Sequence, residues 1–227
     1  MRTTWALALL ALVAAGAGEA AMNVDSIHWL GHDAFRLDGP PVVYIDPYEL
    51  ASGLPKADLI LITHAHSDHL SPADVARVRG PNTVILGPRE VADELPGVRV
   101  IAAGETIEVG GARVRAVAAY NTNKKFHPKG DGKVGFVVTL GGFSVYHAGD
   151  SDAIPEMAGL APDVALLPVS GTYVMTATEA AGAARTIKPK VAIPMHYGSI
   201  VGSEADAKKF AKALEGSGIQ VVVMVKE

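Results

Sequence analysis

The stretch Thr63-His64-Ala65-His66-Ser67-Asp68-His69-Leu70 decides how the rest of the chain is read. It closes a run, Leu59 to Thr63 (Leu-Ile-Leu-Ile-Thr), that is apolar on both faces and is predicted to be a buried strand. It leads into Ser71-Pro72-Ala73-Asp74. That order supplies an N-cap, a proline at the first helical position and a carboxylate in the first turn, so a helix is predicted to start there. Four ligand-type side chains therefore share one tight loop between a buried strand and a capped helix. Three imidazoles and a carboxylate packed this closely compete or repel when protonated, whereas divalent metal ions satisfy them together.

Outward from that loop the chain alternates short apolar runs with turn signals. Ile27 to Leu30, Ala34 to Leu37 and Val42 to Ile45 are spaced as in an antiparallel meander. Thr83 to Leu86, Val98 to Ile101, Thr106 to Val109 and Val114 to Val117 are further short strands. Val134 to Leu140 and Phe143 to Tyr146 are joined by Gly141-Gly142, a two-residue hairpin signal. The last third changes rhythm to β-α-β-α-β. Val164 to Leu167, Val191 to Ile193 and Gln220 to Met224 alternate there with helices opened by Thr176-Ala177-Thr178-Glu179 and Ser203-Glu204-Ala205-Asp206. Many strands, few helices and no linker or repeat predict one α+β domain, with sheet layers covered by helices.

Composition narrows the chemistry. The 227 residues are 49% hydrophobic and 19% charged, which is globular composition rather than disorder. Net charge is −4, from 20 Lys+Arg against 24 Asp+Glu, so nothing marks an electrostatic footprint for nucleic acid or an anionic membrane. The absence of cysteine excludes disulfides, thiolate nucleophiles and Cys metal ligands together, leaving 8 His with carboxylates and hydroxyls. Met1-Arg2, the apolar run Trp5 to Ala17 and the small residues of Gly18-Glu19-Ala20 have the layout of a secretory signal peptide cleaved after Ala20. The expected organisation is a signal peptide over 1–20 and a single domain over 21–227. The expected location is periplasmic or secreted, with no stable membrane insertion after cleavage.

With these residues in place, the sequence resembles the metallo-β-lactamase superfamily, whose hallmark is His-x-His-x-Asp-His after a buried strand. Val145-Tyr146-His147-Ala148-Gly149-Asp150 fits the place of that family's bridging Asp, and Ile193-Pro194-Met195-His196-Tyr197-Gly198 fits its last His. Trp29-Leu30-Gly31-His32 and Asp46-Pro47 are similar to a branch of small stand-alone metal-dependent hydrolases that includes the ascorbate-6-phosphate lactonases. The resemblance implies a four-layer αβ/βα sandwich. It implies His64 and His66 on one metal, Asp68, His69 and His196 on the other, and Asp150 between them. Zn2+ is the implied ion, one or two per chain, with Mn2+ or Fe as alternatives. Two divalent ions can bring a shared water to near-neutral pKa while polarising a substrate oxygen, and Asp68 is the carboxylate placed to accept the proton.

One departure matters. The family usually supplies a third His to the first metal, yet no His occurs between His69 and His127. Asn121 stands where that His is expected, as a ligand or as a partner of one, and His127 is the other candidate. Asp46 is a candidate partner for a metal-bound His, set against a plain Asp-Pro turn. His32 and Asp33 form a turn facing the cleft or merely a structural one, and His147 is expected in packing or beside a ligand. Tyr197 and Lys129, the latter in the basic Asn123 to Gly130 loop, are candidate substrate-binding residues.

The leading expectation is a hydrolase that turns a metal-bound hydroxide on a small-molecule ester, lactone, amide or phosphoester. The missing third His disfavours a β-lactamase proper. Two other classes stand beside it: an iron-dependent oxygenase or redox enzyme on the same fold, and a non-catalytic metal-binding protein of the cell envelope. No surface stripe sets an oligomeric state.

Overall fold

The computed structural model describes residues 22–227, so the expected signal peptide over 1–20 lies outside the described residues. Among them the chain forms two sheets. The first runs in chain order through β1 (Ile27–Gly31), β2 (Ala34–Leu37), β3 (Val43–Ile45), β4 (Ala57–Leu61), β5 (Arg79–Gly87) and β6 (Val98–Val100). The second runs from β7 (Thr106–Val109) through β8 (Ala112–Ala118), β9 (Val134–Leu140), β10 (Phe143–His147), β11 (Val164–Pro168) and β12 (Val191–Met195) to β13 (Gln220–Val221). Each sheet begins as an antiparallel meander and turns parallel, after β3 in the first and after β10 in the second.

Strand β4 shows why the layers stack as they do. Leu59 and Leu61 point into the core between the sheets, with Phe35, Ile45, Phe136, Val138 and Leu166. Ile60 and Ile62 point the other way, into a second cluster with Val75 and Val78 of α1 (Pro72–Val78) and Val91 of α2 (Arg89–Glu94). A strand with apolar side chains on both faces must be covered on both. The outer face of the second sheet is covered by α3 (Ala177–Ile187) and α4 (Glu204–Ala213), through Ala180, Ala184, Ile187 and Phe210. The result is the expected helix-sheet-sheet-helix sandwich. Burying each large apolar side chain contributes about 1.5–3 kcal/mol.

Local signals account for most element boundaries. Ser71 accepts the Asp74 N–H at the start of α1, and Thr176 and Glu179 cap α3 reciprocally. Gly141 and Gly142 take the positive φ values of 55° and 88° that a tight hairpin needs. Several bounds differ from expectation, among them the start of β5, at Arg79 rather than Thr83. Strand β4 ends at Leu61 rather than Thr63, because Thr63 gives its N–H to the Asp46 carboxylate instead of a neighbouring strand. Helix α2 was not expected: Pro88 precedes it with no side-chain cap, so no start signal marks it. Strand β13 pairs only over Gln220–Val221, short of the expected Met224, and Val225 beyond it is 87% exposed. No helix of the described residues is long and apolar enough to cross a membrane.

The parallel strands of both sheets finish at one edge of the sandwich. The loops after β3, β4, β10, β11 and β12 meet there, joined by the β1–β2 turn and the segment after β8.

Candidate metal centre

Asp46 follows β3 and is fully buried, with its main chain at φ +46°. Its Oδ1 accepts the Thr63 N–H at 2.7 Å, and its Oδ2 accepts the Thr63 hydroxyl at 2.6 Å and His69 Nδ1–H at 2.8 Å. Three donors fix this carboxylate, and the carboxylate fixes the His69 ring so that Nε2 faces the centre of the cluster. His196 is held in the same way: Nδ1 meets Ser170 Oγ at 2.8 Å and the His196 amide donates to the His32 carbonyl across the two sheets. Its Nε2 then points at Asp150 Oδ2, 3.3 Å away, while His69 Nε2 lies 3.3 Å from Asp150 Oδ1.

The second cluster is built on His64, His66 and His127. His64 Nε2 and His66 Nδ1 are 3.1 Å apart, His66 Nδ1 and His127 Nε2 are 3.2 Å apart, and His127 Nε2 is 3.4 Å from Asp150 Oδ2. Asn121 does not point its oxygen at this group. It accepts His127 Nδ1–H at 3.1 Å, and its own amide donates to the His127 carbonyl at 2.7 Å, closing the loop that carries His127 inward. Of the two candidates for the first position, His127 stands beside His64 and His66, and Asn121 orients it.

Other residues sort themselves by their contacts. Asp68 reaches the mouth of the cluster, with Oδ2 3.2 Å from His32 Nε2 and 3.8 Å from His69 Nε2. His147 is buried with both ring nitrogens occupied, Nε2–H donating to the Asp33 carbonyl at 2.9 Å and Nδ1 accepting the Gly149 amide at 3.1 Å. It therefore supports the loops and has no lone pair to offer an ion. Gly135 on β9 lets that support form, because a Cβ there would sit 2.5 Å from the His147 carbonyl oxygen.

Two substrate-binding candidates lie elsewhere. Tyr197 is buried with its ring 4.8 Å from that of Trp29, and Lys129 is an exposed side chain paired with Glu156 at 2.8 Å. Neither lines the opening above the cluster, a cleft of about 330 Å³ walled by His66, Ser67, Asp68, Phe126, His127, Asp150, Tyr173 and Ile200. Such a volume suits a small molecule.

Sequence reasoning also passed over three positions. Asp33, named only as part of a turn, is fully buried, with Oδ2 3.4 Å from His69 Nε2 and 3.8 Å from His196 Nε2. Glu90 accepts the Ala65 N–H at 3.1 Å and pairs with buried Lys133 at 3.0 Å, tying down the His64–His66 loop. A lysine directly before a hydrophobic strand is the one signal that could have marked that tie.

Charge is balanced tightly in this pocket. Burial alone would raise the Asp150 carboxyl, but His196 and His69 facing it hold it well below the usual carboxylate range. Burial alone would lower His69, yet Asp150 and Asp46 hold it well above an ordinary histidine, and His196 rises to about 9 against the same burial through Asp150 and Asp33. His64 falls well below the ordinary value through burial and the charge of His69. Burial alone would raise Asp68, but the His32 hydrogen bond and the charge of His69 together bring it down to about 2.

The donor set fits metal ions on three grounds. The buried atoms His69 Nε2, His196 Nε2 and Asp150 Oδ1 have no hydrogen-bond partner although they converge. Donor atoms sharing one tetrahedral ion stand roughly 3.3–3.6 Å apart when bond lengths are about 2.0–2.2 Å. The spacings above cluster around that range. Finally, the donor atoms of His64, His66 and His127 lie within 4.8 Å of one another, as do those of His64, His69 and Asp150.

Comparison with known proteins finds similarity to a family of metal-dependent hydrolases. The family profile described as beta-lactamase superfamily domain matches residues 26–196. A UPF0173 metal-dependent hydrolase of Methanopyrus kandleri is 37% identical over 88% of this chain and 96% of its own length. One from Archaeoglobus fulgidus is 36% identical over 88% and 94%. Among solved structures, a protein of Parabacteroides distasonis proposed to be a metal-dependent hydrolase superposes with a TM-score of 0.80 at 36% identity, covering 87% of this chain and 91% of that one.

Proposed function

This chain belongs to the UPF0173 metal-dependent hydrolases of the beta-lactamase superfamily, and from that premise we propose that it hydrolyses an uncharged ester, lactone or amide of a small molecule at a two-ion centre. The observation that carries the reading is the convergence of buried, unpartnered donor atoms at the floor of a small cleft. His64, His66 and His127 would hold one ion, His69 and His196 the other, with Asp150 between them. Such a pair of ions supplies an acidified water and a polarised substrate oxygen.

The chain's own residues do the rest. Asp68 faces the cleft and, oriented by His32, is placed to take the proton from the attacking water and return it to the leaving group. Phe126, Tyr173 and Ile200 form an apolar wall, with the Phe126 and Tyr173 rings edge-on at 4.6 Å. That wall suits a hydrocarbon portion of the substrate. Among the described residues no Lys or Arg lines the cleft and two carboxylates do, which disfavours a phosphoester.

The test is a panel of aryl and alkyl esters, lactones, amides and phosphodiesters, assayed with metal-loaded and chelator-treated protein. Metal-dependent turnover of the uncharged apolar members supports the proposal. Turnover confined to phosphodiesters, or oxygen consumption without hydrolysis, overturns it. Export is part of the same proposal: a mature N-terminus at Ala21 in a periplasmic or secreted fraction supports it, and full-length protein in the cytoplasm contradicts it.

A further inference from the structure

Asp33 is the one acidic group at the centre to which the reading above gives no task. It is fully buried, and neither of its carboxylate oxygens has a hydrogen-bond partner. A buried carboxylate without donors costs several kcal/mol, so the fold gains nothing from it by itself. Nor can it swing aside: the adjoining His147 ring clamps the Asp33 carbonyl, and the following residues, Ala34–Leu37, are a fully buried strand. The donor atoms of His32, Asp33, His69 and His196 lie within 4.8 Å of one another. Asp33 Oδ2 lies 3.4 Å from His69 Nε2, within the spacing of donors on one ion, and 3.8 Å from His196 Nε2, just beyond it. Asp68, the other carboxylate near His69, spends its closest contact on His32 and opens onto the cleft.

We propose that Asp33 is a direct ligand of the ion held by His69 and His196, and that its carboxylate makes this position oxygen-rich, suited to manganese(II) or iron(II), while the three imidazoles of His64, His66 and His127 make the other suited to zinc. The inference rests on the two-ion reading above and assigns its two positions different ions. Imidazole donors favour zinc, and each carboxylate added moves a position toward harder ions. With Asp33 as the inner carboxylate, Asp68 is released from a double role as ligand and proton acceptor. Burial pushes the Asp33 carboxyl up against the opposing pull of His196 and His69, a penalty that a bound cation would offset.

The experiment titrates metal-free wild-type protein and Asp33→Asn with Mn2+ and, separately, with Zn2+, followed by calorimetry and metal analysis. The expected result is two ions per wild-type chain. In Asp33→Asn one position should lose at least about tenfold in Mn2+ affinity while the other keeps its Zn2+ affinity. Two ions in both proteins with affinities within about twofold overturns the Asp33 assignment and leaves the two-ion centre standing. Wild-type protein that takes up no ion overturns both. If the variant does not fold, anomalous diffraction from Mn2+-soaked wild-type crystals decides: an ion bonded to the Asp33 carboxylate supports the assignment, and an ion between His69 and His196 that Asp33 does not touch overturns it.

Discussion

Replacing Asp46 with Asn changes one atom of a fully buried side chain and should disable one metal position without touching a proposed ligand. In the native arrangement Asp46 Oδ2 accepts both the Thr63 hydroxyl and His69 Nδ1–H, and Oδ1 accepts the Thr63 amide. The asparagine oxygen can keep the Thr63 amide. Its NH2 group, however, then faces His69 Nδ1, and two donors cannot share that contact. The Thr63 hydroxyl can rotate to accept; the imidazole must move its proton to Nε2, the atom aimed at the ion. A protonated Nε2 has no lone pair to give. Partners of metal-bound histidines are worth about 10–100-fold in metal affinity, or about 1.4–2.7 kcal/mol at about 1.4 kcal/mol per tenfold. The loss should fall mainly on the His69–His196 position, because His64 meets Asp46 only indirectly, through the Thr63 hydroxyl, which can still accept from its Nδ1. Competition of metal-free protein against a fluorescent chelator resolves two binding steps, and Asp46→Asn should weaken one of them by that factor. Two unchanged steps, or equal weakening of both, would refute the tautomer argument.

Three further outcomes follow from the contacts. Asn121→Ala removes the acceptor of His127 Nδ1–H and should weaken the His64–His66–His127 position about tenfold, leaving the other intact, in the same chelator competition. Lys129→Ala should leave kcat/KM within about twofold, since its pair with Glu156 is exposed and screened by solvent; a larger fall in a steady-state assay would return Lys129 to the substrate site. Metal-free protein should lose thermal stability as pH rises. His196 has a folded pKa of about 9 against 6.5 unfolded, so its contribution is complete below pH 6.5 and is lost as pH passes through about 9. Metal-loaded protein, whose imidazoles are already neutral, should show no such decline in melting experiments across pH 6.5 to 9.

Much of the layered architecture was legible because it is written in local patterns. Strands β2, β7 and β9 have the bounds that their apolar runs predicted, and α1, α3 and α4 start at the N-caps read for them. What escaped was set by tertiary contacts. Helix α2 carries no side-chain cap, and β13 pairs with β12 over only two residues, Gln220 and Val221. At the site, the six residues of the family pattern could be named because they lie in motifs or directly after apolar runs. His127 was harder to place, since it sits in a basic loop whose composition suggests solvent and reaches the centre only through its contact with Asn121. Asp33 was harder still. An Asp in a turn is ordinary in sequence, and only burial without a donor makes it informative.

The central claim is that two ions bind at the shared strand edge and that hydrolysis depends on them. Metal analysis coupled to activity on one sample tests it most directly: metal-free protein is reloaded stepwise with Zn2+ and Mn2+, and hydrolysis of an apolar ester or lactone is followed at each step. The account predicts uptake of two ions per chain, with activity rising as the second position fills. Full activity in protein that holds no ion, or two bound ions with no dependence of hydrolysis on their number, would contradict it.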